Sequence, residues 1–335
     1  MKIENYDLNK DVMVIAEIGN NHEGSYGLAE EMIGLAAQSG ADAVKFQTIV
    51  PERLISPLQN ERIEQLKRFQ LTYEDFKRLS KVAKNENVIF LSTPFDIESA
   101  NFLESLVPAY KIASGDNDFF PMIDVIARTG KPIIMSAGLL DFQGVRKAIE
   151  FIINIWSNNA INQDIAILHC VASYPVPPEE ANLLAIKELQ SLNVTVGYSD
   201  HTIGTEAAVL SVALGASIIE KHFTIDKNYS EFRDHQLSAD PNEFSQLVER
   251  VKNASKLLGQ SEKTVQKSEI LAMESVRRSI VAKKDLDENT VLTWDDLSWV
   301  RPGAGLAPGD EKMVLGKKLR KRVDSGALIA LENLK

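Results

Sequence analysis

Cysteine is almost absent from this sequence, and its scarcity is the first constraint. A single residue, Cys170, leaves no internal disulfide possible, which fits a reducing compartment. Long apolar runs are lacking too. None approaches the roughly 20 residues that span a bilayer, so no membrane partner is expected. The first residues, MKIENYDLNKDVM, hold no hydrophobic stretch and no cleavage site, so no secretory leader is expected and the predicted location is cytoplasmic. Excess positive charge is also missing. The net charge of −10 argues against nucleic acid or an anionic membrane as a main partner. It does not bar a phosphorylated ligand, because a local cluster of Lys, His and backbone N–H groups can hold one phosphate on an acidic protein.

What is present is a composition 44% hydrophobic and 25% charged, ordinary for a globular chain. Its 335 residues exceed the roughly 250–300 at which a single core stops growing, so one large domain plus a small one is expected. Short β-rich runs alternate with stretches of helical period. Predicted strands are 12–19, 43–48, 88–94, 109–114, 132–138, 165–170, 195–200 and 217–224. Helices are predicted between them at 26–39, 72–86, 97–106, 121–129, 144–157, 178–192 and 205–214, with a last one at 241–258. Eight strand–helix units in about 240 residues fit a (β/α)₈ (TIM) barrel in number and size. The rival, an open doubly wound sheet, would carry a Gly-rich phosphate loop after its first strand, and Gly19-Asn-Asn-His-Glu-Gly24 is not one.

The barrel is therefore expected over residues 1–258. The polar stretch 259–275 reads as a linker, and 276–335 as a small β-rich domain with short strands near 278–282, 291–293, 297–300 and 327–331.

A (β/α)₈ barrel places its active site at the C-terminal ends of its strands. Unusual polar residues collect there: Glu17, Lys45 with Gln47, Thr93, Lys111 with Ser114, Ser136, Ser199 and Glu220. All five histidines, His22, His169, His201, His222 and His235, also fall at strand ends or in the loops just after them. Lys45 and Lys111 interrupt apolar strands, and a buried lysine needs a compensating negative charge. That charge is either an internal carboxylate, Glu17 or Glu220, or an anionic ligand helped by the hydroxyls of Thr93, Ser114, Ser136 and Ser199. A Schiff-base lysine is a third reading. His201 and His222 end neighbouring strands, and with a carboxylate nearby they could form an open site for a divalent metal such as Mn²⁺ or Zn²⁺.

Several segments resemble the sialic acid synthase family, which includes N-acetylneuraminate, legionaminate and pseudaminate synthases. They are Ala16-Glu-Ile-Gly-Asn-Asn-His-Glu-Gly24, Val44-Lys-Phe-Gln-Thr48, Ser92-Thr-Pro-Phe95, Tyr110-Lys-Ile-Ala-Ser-Gly115, Leu168-His-Cys170 with Tyr174-Pro175, Gly197-Tyr-Ser-Asp-His201 and Ile219-Glu-Lys-His-Phe-Thr224. The tail from Arg277 to Gly303 is similar to the antifreeze-like (SAF) domain of the same enzymes. The resemblance implies a cytoplasmic enzyme that condenses phosphoenolpyruvate with an N-acylated mannosamine-type aldehyde and releases phosphate. By the same resemblance Lys45, Thr93, Lys111, Ser114, Ser136 and Ser199 would hold phosphoenolpyruvate. His201 and His222 would ligate the metal, Mn²⁺ first among Mn²⁺, Co²⁺, Mg²⁺ and Zn²⁺. Glu17 would be the acid/base, Gln47, Tyr174 and Asp234 would contact the sugar, and Arg301 would reach it across a domain-swapped homodimer.

The sequence departs from the family pattern at Ala172, where an asparagine is usual and Ser173 is the candidate replacement. It departs again at Phe232-Arg233-Asp234, in the loop after the eighth strand, and at 115–120, after the fourth. Alternative readings are a 3-deoxyheptulosonate or 3-deoxyoctulosonate type of synthase, a lysine-dependent aldolase, or a non-catalytic carbohydrate- or ice-binding protein.

Overall fold

The computed structural model describes the backbone of residues 1–335 and every side chain but that of Arg233. Among the departures from the family pattern, Arg233 has a side chain that lies outside the described residues. Two compact units divide the chain, Met1–Gly259 and Gln260–Lys335.

In the first unit eight strands run parallel: β1 Met13–Gly19, β2 Ala43–Thr48, β3 Ile89–Pro94, β4 Tyr110–Ile112, β5 Ile133–Ser136, β6 Ile165–Cys170, β7 Thr195–Asp200 and β8 Ile218–His222. Their ladder runs β3-β2-β1-β8-β7-β6-β5-β4, and its two ends, β3 and β4, come alongside to close a barrel. Strands buried on both faces read as continuous apolar runs, which is why β1 and β6 show no polar alternation for most of their length.

The helices form the outer ring, and their starts follow from capping chemistry. Thr72 and Asp75 make a reciprocal capping box at Tyr73–Asn85, Asp141 accepts from Gly144 N at 2.8 Å, and Asp240 precedes Pro241 at the start of Pro241–Leu258. The 178–192 segment is not one helix. A 3₁₀ turn, Pro178–Glu180, precedes a short helix, Ala185–Gln190, because the chain first crosses Asn182 with φ at 43°. Two short helices that apolar periodicity did not reveal, Pro51–Leu54 and Asn60–Lys67, occupy the loop after β2.

The barrel interior is filled below the site. Ile15, Leu91, Ile134, Leu168 and Ile218 pack in one cluster with Met1, Ile3 and Leu8, so the N-terminal ribbon, Lys2–Ile3 paired with Tyr6–Asp7, stoppers that end. Among the described residues no helix is long and apolar enough to cross a membrane.

The second unit holds a helix, Lys267–Val276, inside the stretch read as linker, started by a capping box between Gln266 and Glu269. Strands Ser279–Ala282 and Leu297–Val300 pair antiparallel. Residues 291–293 and 327–331 join by single bridges, Val291 to Lys318 and Val281 to Leu328, and form no longer strand. Ile280, Leu292, Leu297, Val314, Leu319 and Ile329 make its own core.

Candidate functional site

A cavity of about 470 Å³ opens at the C-terminal ends of the barrel strands. Every predicted site residue of the barrel lines it: Glu17, Lys45, Gln47, Thr93, Lys111 and Ser114 on the first four strands and their loops, and Ser136, Tyr174, Ser199, His201, His222 and Asp234 on the last four. Arg301 belongs to the second unit. A further hollow of about 620 Å³ lies at the opposite end, lined by Asn162, Gln163, Gln190, Asn193 and Thr195 among others. In this fold that end reads as stability rather than chemistry.

The floor of the cavity is a ring of paired charges. Lys45 Nζ stands 2.8 Å from Glu17 Oε2 and 3.6 Å from Glu220 Oε2, and donates to Thr93 Oγ1 at 3.3 Å. Lys111 Nζ donates to Ser136 Oγ at 2.8 Å and lies 3.5 Å from Glu220 Oε1, which also accepts from Ser199 Oγ at 3.0 Å. Glu220 thus sits between both lysines, and with Glu17 it forms the internal carboxylate pairing that the sequence offers as one way to compensate them. Glu17 Oε1 accepts from Gln47 Nε2 at 2.8 Å, and Gln47 Oε1 accepts from Asn20 Nδ2 at 3.1 Å. The contact of Glu17 Oε2 with Lys45 is ionic without hydrogen-bond alignment. The β1 ladder shifts register between Glu17 and Gly19, where φ is 54° and an added Cβ would lie 3.2 Å from Glu17 Oε1. Glycine there lets the backbone bulge beside the carboxylate.

The two carboxyls are driven apart in acidity. Burial raises the pKa of Glu17, Lys45 offsets part of that, and the Glu220 charge raises it again. Burial raises Glu220 as well, but Lys111 and Lys45 together hold it below the ordinary value. Two neighbouring carboxyls with opposite shifts are a common way to keep one fixed charge beside one proton carrier.

His201 and His222 face each other with ring centroids 5.4 Å apart, and Tyr174 packs on His201 at 4.1 Å. His201 Nδ1 meets the Val171 carbonyl at 2.9 Å, which commits that nitrogen as the donor and turns Nε2 away from that contact. His222 Nδ1 is buried without a hydrogen-bond partner, and burial first, then the His201 and Lys45 charges, hold its pKa well below the ordinary value. Two imidazoles that face each other at the cavity, one of them with a buried nitrogen lacking a hydrogen-bond partner, suit a divalent ion with most of its coordination sphere open. Among the described residues no group of three or more His, Cys, Asp or Glu is placed to hold a metal.

The other three histidines serve the scaffold. His22 Nδ1 accepts from Gly24 N at 3.0 Å, His169 Nε2 meets the Ala181 carbonyl at 2.9 Å, and His235 bridges Thr224 and Glu23 at 2.6 and 3.1 Å. Their clustering at strand ends reflects tight loops that need internal hydrogen bonds. Ser173 Oγ donates to the Pro175 carbonyl at 3.1 Å, and Ala172, not Ser173, lines the cavity.

Above the floor the lining mixes apolar side chains with Arg62 and Gln65. Ile49, Leu54, Ile55, Leu66 and Phe69 come from the loop after β2, and Phe232 meets Phe69 with ring centroids 4.7 Å apart.

Three likenesses bear on this site. A protein of Methanocaldococcus jannaschii described as uncharacterized is 42% identical over 96% of this chain and 94% of its own. The N,N'-diacetyllegionaminic acid synthase of Legionella pneumophila is 36% identical over 96% of this chain and 94% of its own. The solved structure of an N-acetylneuraminic acid synthetase from Leptospira borgpetersenii, in complex with citrate, superposes with a TM-score of 0.74 at 34% identity, covering 79% of this chain and 91% of that one. The model of the SAF domain matches residues 277–335. Because the NeuB family model matches residues 32–263, most of the barrel and of its charged floor, the chain belongs to the NeuB family.

Proposed function

We propose that this chain is a nonulosonic acid synthase that joins phosphoenolpyruvate to an N-acylated aminosugar aldehyde, with water, and releases phosphate. One observation carries the reading: two buried lysines and four hydroxyls converge on one cavity floor. A trianionic ligand would draw both ammonium groups and accept from Thr93, Ser114, Ser136 and Ser199. The printed activity of the Legionella relative supports the reaction class.

In this scheme C3 of phosphoenolpyruvate attacks the aldehyde carbon, forming the new C–C bond, and the aldehyde oxygen takes up a proton. Water adds at C2, and the C2–O bond to phosphate breaks to leave a ketone and inorganic phosphate. Lys45 and Lys111 bind and orient the phosphoenolpyruvate. Glu17, raised in pKa and held by Gln47, carries the proton between water and the aldehyde oxygen. Glu220 stays ionised and keeps both lysines in place. His201 and His222 would hold a divalent metal, Mn²⁺ for choice, which supplies Lewis-acid polarisation of a carbonyl oxygen. Tyr174, Gln47 and Asp234 border the sugar.

The apolar side chains above the floor, Leu54, Leu66, Phe69 and Phe232, support an acceptor that carries methyl and acyl groups, with Arg62 and Gln65 beside them for its polar atoms. A second copy of the chain, dimerised by domain exchange, brings Arg301 to the sugar. Light scattering should find that dimer.

The test is phosphate release from phosphoenolpyruvate, with Mn²⁺ supplied, across N-acetylmannosamine, a diacetamido-trideoxyhexose and arabinose 5-phosphate. We expect release with the diacylated sugar at a kcat/KM roughly 10- to 100-fold above N-acetylmannosamine. Preference for arabinose 5-phosphate would move the chain to the 3-deoxyoctulosonate type, and no release with any aldehyde overturns the proposal.

A further inference from the structure

Behind the two facing imidazoles lies a pair of charges that the proposed reaction does not use. Asp200 and Lys221 are register partners on β7 and β8, one residue before His201 and His222 respectively. Strand alternation turns them away from the cavity, toward the layer where Tyr198 and Phe223 pack against the helices. Asp200 is 0% exposed and Lys221 1%, and Lys221 Nζ stands 3.0 Å from Asp200 Oδ2.

Each group also ties down the backbone beside a histidine. Asp200 Oδ1 accepts from Thr202 N at 2.9 Å and from Thr202 Oγ1 at 2.7 Å, which bends the chain around His201. Tyr198 OH donates to the same oxygen at 3.3 Å. Lys221 Nζ donates to the Thr202 carbonyl from the neighbouring strand. One ion pair thus clamps both flanks of His201 to the residue next to His222.

A buried ion pair adds little net stability, because desolvation takes back most of the attraction. What it does supply is one fixed arrangement. We propose that Asp200 and Lys221 are positioning residues that set the spacing and aim of His201 and His222 for a divalent cation. This rests on the metal reading given above. Nothing in the pair touches substrate, so its effect passes through the two imidazoles. Residues that orient metal ligands from behind typically change affinity about 10- to 100-fold when altered.

The test is binding of Mn²⁺ alone to the metal-free full chain, followed by the loss of the free-ion electron paramagnetic resonance signal. D200N/K221M removes both charges while keeping an oxygen for Thr202, and its fold is checked by circular dichroism and a cooperative melt. We expect native spectra with Mn²⁺ affinity reduced roughly 10- to 100-fold. Affinity equal to the parent chain overturns the proposal. Should the double variant fail to fold, K221R, which keeps the charge but changes its reach, takes its place. It is expected to bind severalfold more weakly, and unchanged binding again overturns the proposal. The parent chain and H201A/H222A test the metal reading separately. If the parent binds Mn²⁺ and the histidine variant does not, the metal reading stands whatever the clamp variants do. If the parent takes up no Mn²⁺, both fall.

Discussion

The floor and the rim of the cavity are built by different means. The floor is carried by strands and held by charges that partner one another, so Lys45, Glu17, Glu220 and Lys111 cannot move independently. The rim comes from loops, above all the segment holding Pro51–Leu54 and Asn60–Lys67, and is lined by Leu54, Leu66, Phe69 and Phe232. Geometry that must be accurate to a fraction of an ångström sits on the rigid element, while the part that only has to match a substituent sits on adaptable chain.

That division can be broken most sharply at Glu17. Glu17→Gln keeps the hydrogen-bonding shape but cannot carry the proton, so phosphate release should fall roughly 100- to 10,000-fold with an unchanged circular dichroism spectrum. A loss of fold instead would make Glu17 a scaffold residue. At the rim, Phe69→Ala should leave turnover of a hydroxylated acceptor nearly intact. It should lower the kcat/KM advantage of the diacylated one by roughly tenfold, since burying a methylene-sized group is worth 1–3 kcal/mol. Equal loss with both acceptors would show that the rim does not discriminate.

The smallest effect is expected beside the floor, at Asp116 in the loop after β4. Burial first, then the Asp118 charge, pushes its pKa from 3.8 to about 6. The folded chain therefore holds this proton more tightly than the unfolded one. The resulting stability is fully present below pH 3.8 and is lost as pH rises through about 6. Asp116→Asn should flatten that decline in melting temperature between pH 4 and pH 7, and an unaltered profile would remove Asp116 as its source.

Much of the floor was legible because its residues break a local rule. Lys45 and Lys111 interrupt apolar strands, and the strand ends at 165–170 and 195–200 follow from β-branched runs bounded by turns. Glu220 was visible as a polar strand end and a candidate lysine partner, yet its sharing by two lysines from β2 and β4 depends on ring closure, which no local pattern encodes. The rim was harder to read. Asn60–Lys67 is polar over most of its length, so it lacks the apolar stripe that marks a packed helix, although its Leu66 and the following Phe69 reach the cavity. The histidines misled for a related reason. All five lie at strand ends or in the segments after them, and only the three-dimensional contacts separate His201 and His222 from His22, His169 and His235.

The ribbon that stoppers the barrel has a kinetic meaning. With Met1, Ile3 and Leu8 packed into the far end, the described residues leave the floor reachable from the rim side. In the proposed reaction, the ligand of Lys45 and Lys111 would have to enter before the acceptor fills the entrance and could depart only after the entrance clears. Under that proposal, order of addition and release would follow from a dead end rather than from affinity.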